Sequence, residues 1–437
     1  MLNKLFEIFQ LKFEYLYENS RILKNLDLLI LISILAVFVS SVFAPSDTIG
    51  IFAIAASVLT FINLLIKKGE KLECNKFELF LLAYFMFAVI SLCGSTLFAL
   101  SLKGFIKIVI YLGFYLSVVQ YLKNNKDKIW WIIFTIAGCL SFEVLNGLIQ
   151  TVIRPEAIST WQDTSYLNPE EIISRVYGTL KPYNPNLFGG YLVAAVPALF
   201  SVAGYFIYKK QYTLCTAIGI LSLLSMYVLF QTGCRGAYLA LFGIIVLLIF
   251  VSYKFIKEHY KKIFLSSVAT LSAFGFAFLM SVSSLRARIL SIFIMRNDSS
   301  NSFRFNVYNS CIDMFKDNWL LGIGLGNKNF REIYGLYMKT GFDALSAYNI
   351  YLETAVESGI FALMSFVAFL ILMLKSAYKF IVTENNIFDI LAVAAAFAAI
   401  VGLLIHGFVD TVFFRPQIHF IFWTMAAIIR VQTANIR

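Results

Sequence analysis

Apolar runs of about 18 residues or more recur along the whole chain, separated by short polar connectors. In hydrocarbon the backbone must satisfy its own polar groups, which leaves helices or closed barrels. Barrel strands are only about ten residues long, so runs of this length predict an all-α polytopic membrane protein. Charged residues make up 14% of the chain and hydrophobic residues 60%. An ordinary soluble domain carries about 25% charged residues. We expect about twelve spans, near 28–44, 48–66, 77–98, 105–122, 129–149, 187–207, 212–230, 236–252, 263–282, 348–374, 386–406 and 417–433. Residues 1–150 read as N-terminal transmembrane helices, and 151–437 as a second region that includes a long loop, 283–347. The stretch Met1–Asn25 is basic and partly amphipathic. It has no small-residue cleavage site, so the first span reads as retained.

The net charge is +11. The lysines sit in short clusters between apolar runs, which is a topology signal and argues against a nucleic-acid partner. With twelve spans, seven Lys/Arg clusters fall on one face, from Lys4–Lys24 through Lys67–Lys76 to Arg430 and Arg437. That face is expected to be cytoplasmic, with both termini inside. The segments near 150–186 and 283–347 then lie outside. The six cysteines are scattered, with no zinc or disulfide spacing, and read as packing residues. No metal site or cofactor motif is expected.

The loop 283–347 is too long for a simple connector. Phe305, Tyr308, Ile312 and Phe315 recur at helical spacing and predict an amphipathic helix over 302–315. "WLLGIGLGNKNF" reads as a glycine turn. Its Gly322, Gly324 and Gly326 nearly spell a dinucleotide fingerprint, but no βαβ unit surrounds them. Asn329–Met338 predicts a second short helix, with Phe330, Ile333, Tyr334 and Tyr337 on one side. Such helices suit a membrane interface above a cavity.

Arg235 opens an apolar run at the expected outer face, where topology needs no positive charge. Two readings are open: snorkelling to the headgroups, or an anion site that pairs guanidinium with free helix N–H groups. Arg175 and Arg304 are candidates to converge on it, with Lys181, Arg288, Arg296, Arg331 and Arg415 as further outer cations. His406 and Asp410 stand four apart and suit a shared helix face, as a structural or a catalytic pair. Glu143 is an intramembrane carboxylate, a functional candidate or a packing residue near Gly147.

Four stretches together look familiar: "TGCRGAYLAL", "SFRFNVYNSCIDMFKDNWLLGIGLGNKNF", "SAYNIYLETAVESGIFALMSF" and "GTLKPYNPNLFGGYL". In order and content they resemble the O-antigen ligase and polymerase superfamily of bacterial membrane proteins. "SIFIMRNDSSNSFRFNV" and "HGFVDTVFFRPQ" are similar to a cyanobacterial IctB-like group of bicarbonate transporters within it. The likeness runs from about Arg175 to Trp423, and the first 150 residues match only as apolar spans. It implies a metal-independent glycosyltransferase of the bacterial inner membrane. Such an enzyme moves a glycan from an undecaprenyl-diphosphate carrier to an acceptor hydroxyl on a glycan or lipid, at the periplasmic face. The resemblance implies that Arg235 and Arg304, with Arg175 beside them, hold the diphosphate. Tyr348 stands where the family has a histidine, just before Asn349. With a pKa of ~10, tyrosine is a poor base near neutral pH. Glu353, Glu357, Asp343 or the His406/Asp410 pair are its possible substitutes. Tyr348, Asn349 and Glu353 form the expected catalytic set, with His406 and Asp410 in support. An anion transporter and a non-catalytic relative that binds lipid-linked glycan are the competing readings.

Overall fold

The computed structural model describes residues 2–153, 175–290, 292 and 299–434. Among them every regular element is helical. Helices α1 (Leu2–Asn19) and α2 (Arg21–Lys24) precede α3 (Leu26–Phe43), α4 (Ser46–Ile66), α5 (Lys76–Gly94), α6 (Phe98–Asn124) and α7 (Ile129–Ile153). Next come α8 (Pro185–Tyr208), α9 (Tyr212–Gln231), α10 (Arg235–Phe255) and α11 (Glu258–Ser281). Three further helices follow: α12 (Ser283–Leu290), α13 (Ser299–Asn318) and α14 (Asn327–Tyr334). The chain closes with α15 (Ile350–Thr383), α16 (Ile387–His406) and α17 (Pro416–Gln432).

Eleven of the described helices are long and apolar enough to cross a membrane. This is one fewer than the twelve expected, because α17 has only 17 residues. Helix α6 differs more. It starts at Phe98, seven residues before the expected boundary. Lys103 makes its first turns look polar in the sequence, yet the helix runs through it.

Burial sorts the helices into a centre and a rim. The most apolar stretch of α8 is 83% buried and that of α11 is 0% buried. The reason lies in side-chain size. In a bilayer, close helix contacts come from small residues that let backbones approach. Helix α8 carries Gly189 and Gly190, and α16 carries Ala394–Ala396, Ala398, Ala399 and Gly402, all buried. A Cβ on Gly189 would meet Cβ of Cys234 at 2.9 Å, and one on Gly190 would meet Cε1 of His406 at 3.3 Å. Helix α11 is rich in Phe and Leu, and its Leu271, Phe274 and Phe276 are exposed, as suits a lipid-facing helix.

Helix α15 is broken at Gly359, whose φ is 78°. A broken helix in a membrane must find partners for its freed backbone groups. The 319–326 turn supplies them. Ile323 and Gly324 N–H groups donate to the Val356 and Glu357 carbonyls, and Ile360 N–H donates to Trp319. The turn's three glycines all have positive φ. A Cβ on Gly322 would lie 2.4 Å from the Glu357 carbonyl oxygen, so glycine is required there by space as well as by conformation. The motif is a packed turn.

The expected helix over 302–315 lies within α13, but its buried face differs from the expected one. Val307, Cys311 and Met314 are buried, whereas Ile312 is 42% exposed. The cause is the partner: α13 packs against α15 and the glycine turn through its smaller side chains, joining Phe330 and Tyr334 of α14 in one cluster. Phe330 and Tyr334 are buried as expected, with Ile333 and Tyr337 packed beside them, although α14 ends at Tyr334.

Candidate functional site

The site forms where α8, α10, α13 and α16 meet, and it can be built from the backbone turn before α10. Helix α9 ends at Gln231, leaving free carbonyls that attract cations. Arg175 Nε donates to the Thr232 carbonyl at 2.7 Å, and Arg288 Nε donates to the Gly233 carbonyl at 2.9 Å. Gly233 has φ 64°, and a Cβ there would lie 3.0 Å from Arg175 Nε. Cys234 and Arg235 follow, with Arg235 opening α10 and 8% exposed.

Arg175 is held by its own segment. Val176 N–H donates to the Gln231 carbonyl. Gln150 Oε1 accepts the Tyr177 and Gly178 N–H groups, both at 3.0 Å. Glu143 accepts the Thr179 N–H at 3.0 Å and the Thr179 hydroxyl at 2.5 Å. Glu143 is therefore a buried clamp on the segment that presents Arg175.

The Asn-Pro-Asn stretch has a division of labour. Asn184 caps α8 by accepting from the Asn186 and Leu187 N–H groups, and Pro185 fits the first turn. Asn186 is left to bridge. Its Oδ1 accepts from Arg175 Nη2 at 2.6 Å, and its Nδ2 donates to Asp410 at 3.3 Å. Asp410 also receives Arg304 Nη2 at 3.6 Å, and its other oxygen accepts the Val412 N–H. Arg304 lies over the Tyr348 ring, 5.8 Å from its centre. The residues Arg175, Asn186, Asp410, Arg304 and Tyr348 thus form one connected chain of contacts.

Electrostatics shows how tightly the cations gather. Burial, and then Arg175 and Arg235 beside it, push the Arg288 guanidinium down to about 10. Burial also lowers Arg175, and Arg304 adds to the effect. Arg288 thus stands near Arg175 and Arg235, and Arg175 near Arg304, a gathering of positive charge that favours an anion. Cys234 Sγ lies 3.4 Å from His406 Nε2 in the same wall.

The Tyr348 turn is strained and over-determined. Tyr348 has φ 50°, a region that bulky residues rarely occupy. Its carbonyl accepts from the Tyr308 hydroxyl, and the preceding Ala347 N–H donates to Glu353. Asn349 caps α15 through Oδ1 and donates to the Phe408 carbonyl through Nδ2. Asn349 and Glu353 thus hold the turn, while the Tyr348 ring faces Arg304. Burial, and next to it Asp410, push the Tyr348 phenol up.

The other candidates lie apart from this cluster. Arg331 pairs with Asp343 at 2.7 Å, and both are exposed. Glu357 accepts the Gly326 N–H in the glycine turn. Lys181 and Arg415 are exposed, and Arg296 lies outside the described residues. Of the carboxylates considered as substitutes for the histidine, Asp410 is the one that touches an arginine of the cluster. Sequence reading passed over Asn186, whose signal was its place in the Asn-Pro-Asn stretch. It read Cys234 with the other cysteines as a packing residue, and the structure sets its sulfur against His406.

Residues 220–367 match the O-antigen ligase family. The matched stretch contains Arg235, Arg288, Arg304 and the Tyr348 turn, but not Arg175 or Asp410. The teichuronic acid biosynthesis protein TuaE of Bacillus subtilis (strain 168) is 24% identical over 327 residues, 72% of this chain. The chain spans 63% of that relative's length. The two matches support the O-antigen ligase superfamily. They also support membrane-bound polysaccharide biosynthesis of the ligase/polymerase glycosyltransferase type as the family's field of action.

Proposed function

We propose that the protein transfers a glycan from an undecaprenyl-diphosphate carrier to an acceptor hydroxyl at the periplasmic face of the bacterial inner membrane. The observation that carries this reading is the gathering of Arg175 and Arg288 on the Thr232–Gly233 carbonyls beside Arg235, with Asp410 joined to Arg175 through Asn186 and to Arg304 directly. Guanidinium groups bind phosphate oxygens in a bidentate fork and keep their charge. Fixed cations act most strongly where charge develops, which in this reaction is the leaving diphosphate.

The acceptor oxygen bonds to the anomeric carbon as the bond from that carbon to the diphosphate oxygen breaks. The bonding electrons leave on the diphosphate and are stabilised by the arginines. Asp410 takes the acceptor proton. Tyr348 flanks the acceptor side, held by Asn349 and Glu353, and His406 braces the Cys234 turn. The lysine clusters on the opposite face agree with cytoplasmic termini if α17 completes a twelfth crossing.

The test is purified protein supplied with an undecaprenyl-diphosphate glycan and candidate acceptors, followed for release of undecaprenyl diphosphate. Release that is lost in Arg235→Ala and Arg304→Ala is expected. Uptake of labelled bicarbonate into liposomes by protein that releases no diphosphate would overturn the reading in favour of an anion transporter.

A further inference from the structure

The basic N-terminal stretch has no part in the arginine site. It folds as α1 and α2 at the Arg430 end of the bundle, where Glu78, the partner of Arg430, lies in the first turn of α5. Helix α1 is tied to the end of α4 and to the loop that follows. Asn3 exchanges hydrogen bonds with both backbone groups of Leu72, and Gln10 donates to the Leu64 and Glu70 carbonyls. Glu7 pairs with Lys71, and Glu14 with Lys68. These partners all fall between Leu64 and Leu72, whereas α1 has 18 residues and is about 27 Å long. Helix α1 therefore lies across the end of α4 and does not run along it.

The other face of α1 is uncovered. Leu5, Ile8, Leu11, Tyr15 and Leu16 are exposed at the three- and four-residue spacing of one helix face. Lys4 and Lys12 are exposed among them, and Arg21 and Lys24 of α2 follow beside exposed Ile22. Among the described residues, none of these four cations has a side-chain hydrogen bond or an ion pair. The acids are sorted the other way, since Glu7 and Glu14 meet lysines of the loop. The uncovered face thus combines apolar and cationic side chains. It also continues a lipid-facing surface. Ile51, Ile54, Val58 and Phe61 are exposed along one stripe of α4, a helix long and apolar enough to cross the membrane. The Phe61 ring lies 6.5 Å from that of Phe6 on α1, and Lys67 and Lys68 follow within two turns. Helix α1 sits where the apolar stripe gives way to charge.

We infer that α1 and α2 form an interfacial anchor that binds anionic phospholipid headgroups. The apolar face enters the acyl boundary, and Lys4, Lys12, Arg21 and Lys24 meet the phosphates. Binding of such a helix grows with its apolar area and with the attraction of its basic side chains to anionic lipid. Charge selects the lipid, because a zwitterionic headgroup has no net charge to offset four unpaired cations. Continuity with the α4 stripe selects the bilayer over a soluble partner. The inference is independent of the glycan-transfer reading.

Spin-label accessibility of the full-length protein in nanodiscs tests this. The label is placed at Ile8→Cys, with Cys74, Cys93 and Cys215 replaced by Ser and the remaining cysteines buried. The nanodiscs hold phosphatidylcholine alone or an equimolar mixture with phosphatidylglycerol. In the mixture the label is expected to collide with lipid-soluble oxygen. Its collisions with a water-soluble nickel chelate are expected to fall several-fold relative to phosphatidylcholine alone. Replacing Lys4, Lys12, Arg21 and Lys24 by Gln is expected to abolish that difference. All four side chains are exposed, so the packed core is untouched. A label equally open to nickel in both lipids overturns the inference. So does one equally shielded in both, which would mean apolar docking without recognition of charge. A label closed to both reagents would reveal a covering protein and overturn it as well.

Discussion

Buried charge is handled in opposite ways at the two ends of α17. At its C-terminal end, cations face carboxylates. Arg430 Nε lies 2.9 Å from Glu78, which also accepts from the Tyr115 hydroxyl and caps the start of α5. Lys123 lies 3.6 Å from Glu70, which Gln120 also contacts, and Lys67 lies 2.6 Å from Asp27. At the other end, about 22 Å along α17 between Arg415 and Arg430, Arg288 stands beside Arg175 and Arg235, and Asp410 meets Arg304 directly and Arg175 through Asn186. A pair satisfied within the protein holds helices together. A gathering of cations suits an anionic ligand, which is why the proposed diphosphate site is assigned to the second end.

The comparison can be broken at either end. Arg430→Ala leaves Glu78 buried without its charge partner and should cost about 3–5 kcal/mol of stability. Thermal unfolding measures it, and Glu78→Gln combined with Arg430→Met should recover much of the loss. At the arginine end the effect falls on turnover. Arg304→Ala or Arg235→Ala should lower diphosphate release by about 10²–10³-fold with protein abundance unchanged. A comparable loss from the Arg430→Ala protein, corrected for its folded amount, would erase the distinction.

A softer probe uses a ligand. Inorganic pyrophosphate at about 100 times its dissociation constant should stabilise the protein by about 2.7 kcal/mol. The upward shift in unfolding temperature should vanish in Arg235→Ala and persist in Arg430→Ala. The smallest expected effect concerns the glycine turn. Gly324 has φ 98°, and a Cβ there would meet Ser95 Oγ at 2.3 Å. Gly324→Ala should cost about 1–3 kcal/mol through overpacking. Turnover per folded molecule should stay unchanged, because the turn fills the break in α15.

Much of the fold was legible because hydrocarbon imposes a length and a secondary structure on every crossing. The boundaries that moved did so for particular reasons. Lys103 hid the first turns of α6, since a charge near the end of an exposed helix looks like a loop in one dimension. The amphipathic helix over 302–315 was legible, but of its predicted apolar side only Phe315 joins the buried cluster, because the space against α15 and the glycine turn takes Val307, Cys311 and Met314. Arg175, Arg235 and Arg304 stood out as outer cations, and Arg288 was one of several more. Nothing in their spacing separated Arg288 from Arg331, which pairs with Asp343 instead.

The sequence by itself determined the helical membrane class, the caps and the glycine positions, because each depends on local chemistry within a few residues. Asn184 and Asn349 cap helices wherever those helices pack. Only the tertiary structure decided which charges meet. Asn186 and Asp410 lie 224 residues apart, and Cys234 and His406 lie 172 apart. Their contact depends on how closely the small residues of α8 and α16 let the helices approach, and that is a property of the assembled bundle.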